Sequence, residues 1–158
     1  MGAISDFYDD LVSRLQAAQA VGKDLEGLKS IQVAPEARQS GRRSYPHIMI
    51  GTPTYAEAEQ EGSRSTARGM INIPLELSIK NDQSADNSIS NLFDWVEKTL
   101  DALETPSATQ DRRDNAIGGV PMRMIQKSVD DVDTNVSFIK ARILVTAPIL
   151  KIQRGNRN

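Results

Sequence analysis

The pattern of this chain predicts an α+β domain, a mostly antiparallel or mixed β-sheet with two main helices packed on one face. Apolar residues recur at three- and four-residue spacing in two segments, around Phe7 and around Leu92. They alternate strictly with polar ones over Met70–Lys80 and recur on alternate positions over Val136–Ile152. The order of segments is helix, strands, helix, strands, and hairpin-like connections favour antiparallel pairing with the helices on one side.

Taken in order, Ile4, Phe7, Leu11, Leu15 and Ala18 predict an amphipathic helix from about Ser5 to Ala20, flanked by Tyr8 and Val12. Ser5 is the expected N-cap, Asp6, Asp9 and Asp10 suit the positive end of the helix dipole, and Gly22 and Lys23 supply stop signals. Two strands are expected at Ser30–Ala34 and His47–Gly51, with a polar segment carrying Arg38, Gly41, Arg42 and Arg43 between them. Residues 56–69 lack hydrophobic periodicity and predict a long, exposed polar loop.

Met70–Lys80 is the clearest strand. Ile71, Ile73, Leu75, Leu77 and Ile79 should face the core, and Pro74, which has no N–H to donate, predicts an edge strand or a bulge. A polar turn, Asn81–Ser88, leads to a second helix with the apolar stripe Ile89, Leu92, Phe93, Val96, Leu100 and Leu103 and Trp95 beside it. Ser84 or Asp86 is the expected cap and Pro106 marks the end. Two last strands are expected at Val120–Val129 and Val136–Ile152, joined by an acidic turn, Asp130–Asn135. Pro148 should bend the last strand or mark its exit from the sheet. Phe138, Leu144, Leu150 and Ile152 put apolar groups on its second face.

At 158 residues, 39% apolar and 25% charged, the chain fits a single domain, 1–158, large enough to hold a core without cross-links. Residues 153–158 read as a flexible basic tail. The absence of cysteine excludes disulfides and thiolate chemistry. The acidic first ten residues lack the basic region of a signal peptide, and the longest apolar stretch, Ala141–Leu150, is about half of what a membrane helix needs. A net charge of -2 argues against a dedicated, sequence-specific nucleic-acid binder.

Enzyme signatures are absent. There is neither a phosphate-cradling Gly-x-x-x-x-Gly-Lys-Ser/Thr loop nor a dinucleotide Gly-x-Gly-x-x-Gly, and Gly118-Gly119 reads as a flexible entry to a strand. The single histidine, His47, rules out multi-histidine metal sites, and no nucleophile elbow accompanies it. Asp131-Val132-Asp133-Thr134-Asn135 opens like a calcium loop, but Val136 stands where glycine is needed and Arg142 where a bidentate glutamate is needed. No catalytic residue, cofactor or metal is therefore expected. The basic residues are the candidates for recognition: Arg42 and Arg43 in one polar segment, Arg64 and Arg68 in the other, with Lys151, Arg154 and Arg157 at the end. Arginine forks meet carboxylates well, and Asp9, Asp10, Asp130, Asp131 and Asp133 are available counterparts.

The segment Ser44-Tyr45-Pro46-His47-Ile48-Met49-Ile50-Gly51 follows an amphipathic helix and precedes a polar loop, the alternating strand 71–79 and the helix 89–103. This order resembles the tail terminator, or tail completion, proteins of long-tailed bacteriophages, over about Ile4–Ile149. The resemblance implies a non-enzymatic virion protein, a homo-hexameric ring at the tail–head junction that caps the tail tube. Its partners would be itself, the tail tube protein and a head-completion or connector protein. It would have no membrane partner, DNA would pass through the ring, and assembly would take place in the host cytoplasm. The long last strand, apolar on both faces, fits burial beyond one small domain. Arg42, Arg43, Arg64 and Arg68 are the candidate subunit or tube contacts. Two other readings stay open: another ring-forming neck protein, or a dimeric small-molecule-binding domain with a deep apolar pocket. A hydrolase acting through His47 is a third.

Overall fold

The computed structural model describes residues 2–20, 22–33, 45–57, 66–81, 88–105, 115–134 and 138–152. Within them the alternating segment becomes the centre of a six-stranded mixed sheet. Its strands are β1 (Ser30–Val33), β2 (His47–Ile50), β3 (Thr54–Glu57), β4 (Thr66–Lys80), β7 (Gln126–Thr134) and β8 (Phe138–Ile152). Lateral order is β1-β2-β4-β8-β7, with β3 also pairing β4 beyond the end of β2. β1 and β2 are parallel and every other pairing in this sheet is antiparallel. β5 (Ala116–Ile117) and β6 (Val120–Pro121) form a separate two-stranded hairpin. Helices α1 (Ala3–Ala17) and α2 (Ser88–Glu104) lie on one face, as the α+β pattern requires.

The core follows from the period of two. Ile71, Ile73, Leu75, Leu77 and Ile79 of β4 and Ile139, Ala141, Ile143, Val145, Ala147 and Ile149 of β8 all point to the helices and are buried. Ile48 and Ile50 extend that surface through β2, and Phe7, Leu11, Leu15, Leu92, Val96 and Leu103 cover it from α1 and α2. Gly118, at the tip of the β5–β6 hairpin, has a positive φ of 54°. A Cβ there would stand 2.4 Å from the Phe7 Cα, so the hairpin presses on the α1 backbone where only glycine fits. The Gly118 N–H donates to Asp10 Oδ2 at 2.7 Å and fixes that contact.

Tertiary packing corrects several expectations. α1 runs 3–17 rather than 5–20; Gly2 is its N-cap, and Ser5 lies within the first turn. The 56–69 polar loop is shorter than its composition implies, because Thr54–Glu57 and Thr66–Met70 pair with each other. Residues 58–65 lie outside the described residues. β4 is a central strand, not an edge. Pro74 is tolerated because its carbonyl, and with it the missing N–H, faces the break between β2 and β3, where it accepts from the Gly51 N–H at 2.8 Å. At that break three residues, 51–53, stand opposite two, 73–74, so the irregularity falls on the partner strand.

Pro148 neither bends β8 nor ends it. It pairs with Met70, and by the same alternation its nitrogen faces the side that β7 no longer covers, since β7 begins opposite Thr146. The predicted strand 120–129 is instead β6, a 3-10 turn (Met122–Met124) and the start of β7. Asp130–Thr134 belong to β7 rather than to a turn; residues 135–137 lie outside the described residues. On α2 the buried face is rotated away from the predicted stripe: Leu92, Val96, Thr99, Ala102 and Leu103 are buried, whereas Ile89 and Phe93 are 52% and 42% exposed. The candidate caps Ser84 and Asp86 and the marker Pro106 lie outside the described residues, as does the tail 153–158.

Candidate functional site

Because both helices occupy one side, the second face of the sheet carries no helix. Cross-strand register lays its side chains out in rows. At one end stand Ala56, Met70 and Pro148, with Arg68 and Leu150 beyond them. Next come Thr54, Asn72, Thr146 and Gln126, where Thr146 Oγ1 donates to Asn72 Oδ1 at 2.7 Å. Pro74, Leu144 and Ser128 follow. Then come two charged rows: Met49, Glu76, Arg142 and Asp131, and His47, Ser78, Lys140 and Asp133. The face is thus apolar at one end and charged at the other.

At the charged end Lys140 bonds Glu76 at 2.9 Å and Arg142 lies 3.7 Å from Asp130. A concavity of about 150 Å³ opens here, lined by Glu76, Asp131, Asp133, Lys140, Ala141 and Arg142. Its walls carry charge of both signs instead of the apolar surface that encloses most small ligands. Tyr45 stacks on Phe138 just beyond it, with ring centres 6.3 Å apart and Lys140 over the Phe138 ring.

His47 is fully buried, and its Nδ1 lies 2.7 Å from Ser30 Oγ, a contact that follows from the parallel register of Ser30 with His47. A hydroxyl–imidazole pair is also the start of a nucleophilic arrangement. His47 does not line the charged concavity, however, and its burial withholds it from a substrate. Among the described residues no three metal-ligating side chains gather into a cluster, and no helix is long and apolar enough to cross a membrane.

Of the four candidate arginines, Arg42, Arg43 and Arg64 lie outside the described residues. Arg68 sits on β4 at the apolar end of the open face, exposed between Met70 and Leu150, which are 40% and 58% exposed. Here β4 and β8 form an arm: Thr66–Arg68 and Leu150–Ile152 pair only with each other, beyond the reach of β3 and β7. Composition gave no sign of it, since residues 66–69 read as loop.

Tyr55, on the core-side face of the arm's base, lies across Gly69 so closely that a Cβ on that glycine would sit 2.4 Å from its hydroxyl. The hydroxyl is buried and makes no hydrogen bond among the described residues. Its burial, and secondarily Glu57, raises the Tyr55 pKa above 10.0. The proton is therefore held more tightly in the folded chain, and the stability tied to it is lost as pH rises through the ordinary tyrosine range. Tyr55→Phe is expected to be neutral or to stabilise by up to about 1 kcal/mol at pH 7, because it removes an unsatisfied hydroxyl. It should also flatten the alkaline fall in melting temperature, and a loss of more than about 1 kcal/mol in a denaturant titration would contradict this.

No protein-family model matches the chain, and no curated protein matches it.

Proposed function

We propose that the chain is a ring-forming virion protein of a long-tailed bacteriophage, which caps the tail tube at the tail–head junction and stops its polymerisation. The observation that carries this reading is the open sheet face ending in the β4–β8 arm. An antiparallel sheet tolerates one face in water, but Met70, Leu144, Pro148 and Leu150 gather apolar surface at one end of it, and such patches mark contact surfaces. A two-stranded ribbon is marginal by itself in water, so an arm of this kind gains from lying on a neighbour. The order of elements around Tyr45–Gly51 supplies the phage context.

In this reading the activity is steric. One ring face complements the tube end; the other offers no surface to a further tube subunit and receives the head-completion or connector protein. The ring is a homo-hexamer through which DNA passes, assembled in the host cytoplasm and retained in the virion. No residue is given a catalytic, cofactor or metal role. The charged, shallow lining of the described concavity favours this reading over a small-molecule-binding domain.

The test joins native mass measurement to a capping assay on purified tail tubes. Replacing Arg42, Arg43, Arg64 and Arg68 together by alanine should leave the melting temperature nearly unchanged, since exposed charges add little to folding. Capping should weaken, and wild-type capping should loosen as salt rises. Normal capping by the quadruple variant would remove the arginines from the contact. A wild-type chain that stays monomeric on tail tubes would end the ring reading.

A further inference from the structure

We infer that the open face at the end of the arm, Arg68 framed by Met70 and Leu150, seats on Asp131 and Asp133 of β7 in a second copy of the chain. The inference rests on the ring reading and names the surface that meets the arm.

Arg68 stands opposite Leu150 and Asp133 opposite Lys140, ten residues apart along β8. That is roughly 33 Å of strand, so the two cannot meet within one copy. The cations nearest the carboxylates are already committed, Lys140 to Glu76 and Arg142 to Asp130. Asp131 and Asp133 are left exposed and make no ion pair among the described residues. Arg68 is in the same position at the other end.

The chemistry at each end decides the kind of contact. β7 is an edge strand, but its bulge between Val129 and Asp131 and its row of carboxylates disfavour the addition of another strand. It offers side-chain oxygens instead. Arg68 presents a guanidinium fork between two exposed apolar side chains, and such a rim excludes water from a charge-assisted bond. The two surfaces differ, so the association is head-to-tail and repeats from copy to copy until a ring closes.

Charge reversal tests it on the full chain by sedimentation and native mass measurement. Arg68→Asp alone and Asp131→Arg with Asp133→Arg should each melt like the wild type and raise the dissociation constant of self-association by about tenfold or more. The triple variant, with the charges exchanged, should recover most of that loss. Self-association of Arg68→Asp equal to wild type, or a triple variant as weak as its parents, would overturn the contact. A wild-type chain that stays monomeric at its solubility limit would overturn it as well. Tube capping is scored separately in the same samples, so a chain that caps normally without the Arg68 contact refutes this inference and leaves the capping reading standing.

Discussion

Leu77→Asp is expected to abolish folding, whereas Glu76→Lys at the neighbouring position is expected to leave the domain folded. Leu77 is fully buried on the helix-facing side of the central strand, between Ile48 of β2 and Ala141 of β8. An aspartate there has no cationic partner. Burying such a charge, or protonating it to avoid the charge, costs several kcal/mol, of the order of a domain's whole margin of about 5–15 kcal/mol. Glu76 lies on the open face, and its loss breaks one half-exposed pair with Lys140 and sets two cations side by side. That should cost about 1 kcal/mol or less. Circular dichroism melts of the two variants check this. Similar melting would mean that the strand's register is shifted by one residue, because a one-residue slip exchanges the two faces.

The second large effect is at Arg14. This arginine lies on the buried side of α1, and its guanidinium gathers the end of α2 and the segment after it into one knot. Nη1 donates to the carbonyls of Leu103 at 2.9 Å and Thr105 at 3.3 Å and to Asn115 Oδ1 at 3.0 Å, while Nη2 donates to the Ala116 carbonyl. Asn115 in turn donates through Nδ2 to the Glu104 carbonyl. A cation at the C-terminal end of α2 also answers its dipole and satisfies carbonyls that the helix leaves unpaired. Burial lowers the arginine's pKa, Asp10 opposes that shift, and the side chain stays charged at neutral pH. Arg14→Met keeps the bulk but orphans these acceptors, so a loss of about 3–5 kcal/mol is expected. At this chain length the melting temperature should fall by roughly 10 °C. Arg14→Lys should recover only part, since one ammonium cannot reach both sides of the knot. Wild-type melting of Arg14→Met would show that the knot contributes nothing to stability.

Arg14 was not legible in the sequence. It falls next to the stripe of Phe7, Leu11 and Leu15, and an arginine on an amphipathic helix ordinarily faces water. Only the close approach of Asn115 and the α2 end makes a buried cation favourable there. The rotation of α2 is a similar case. Ile89 and Phe93 fit the apolar period as well as Leu92 and Val96 do, and the position of the sheet decides which of them are covered. Of the candidate contacts only Arg68 falls on described residues, and there as part of a strand, because pairing with β8 overrode a polar composition.

The sequence by itself determined the α+β class, both helices, the strand Ile71–Ile79 and which of its faces is buried. Those properties rest on periodicity, and a period of two or of 3.6 is written in neighbouring residues. The tertiary structure alone decided that β4 is central in spite of Pro74, that Asp130–Thr134 lie in an edge strand, and that the β4–β8 arm exists. Each of these depends on which distant segment stands alongside: a missing N–H is harmless only where no partner faces it, and a polar stretch becomes a strand only where another strand offers it hydrogen bonds. Pairing partners of that kind lie far apart along the chain, and local pattern does not record them.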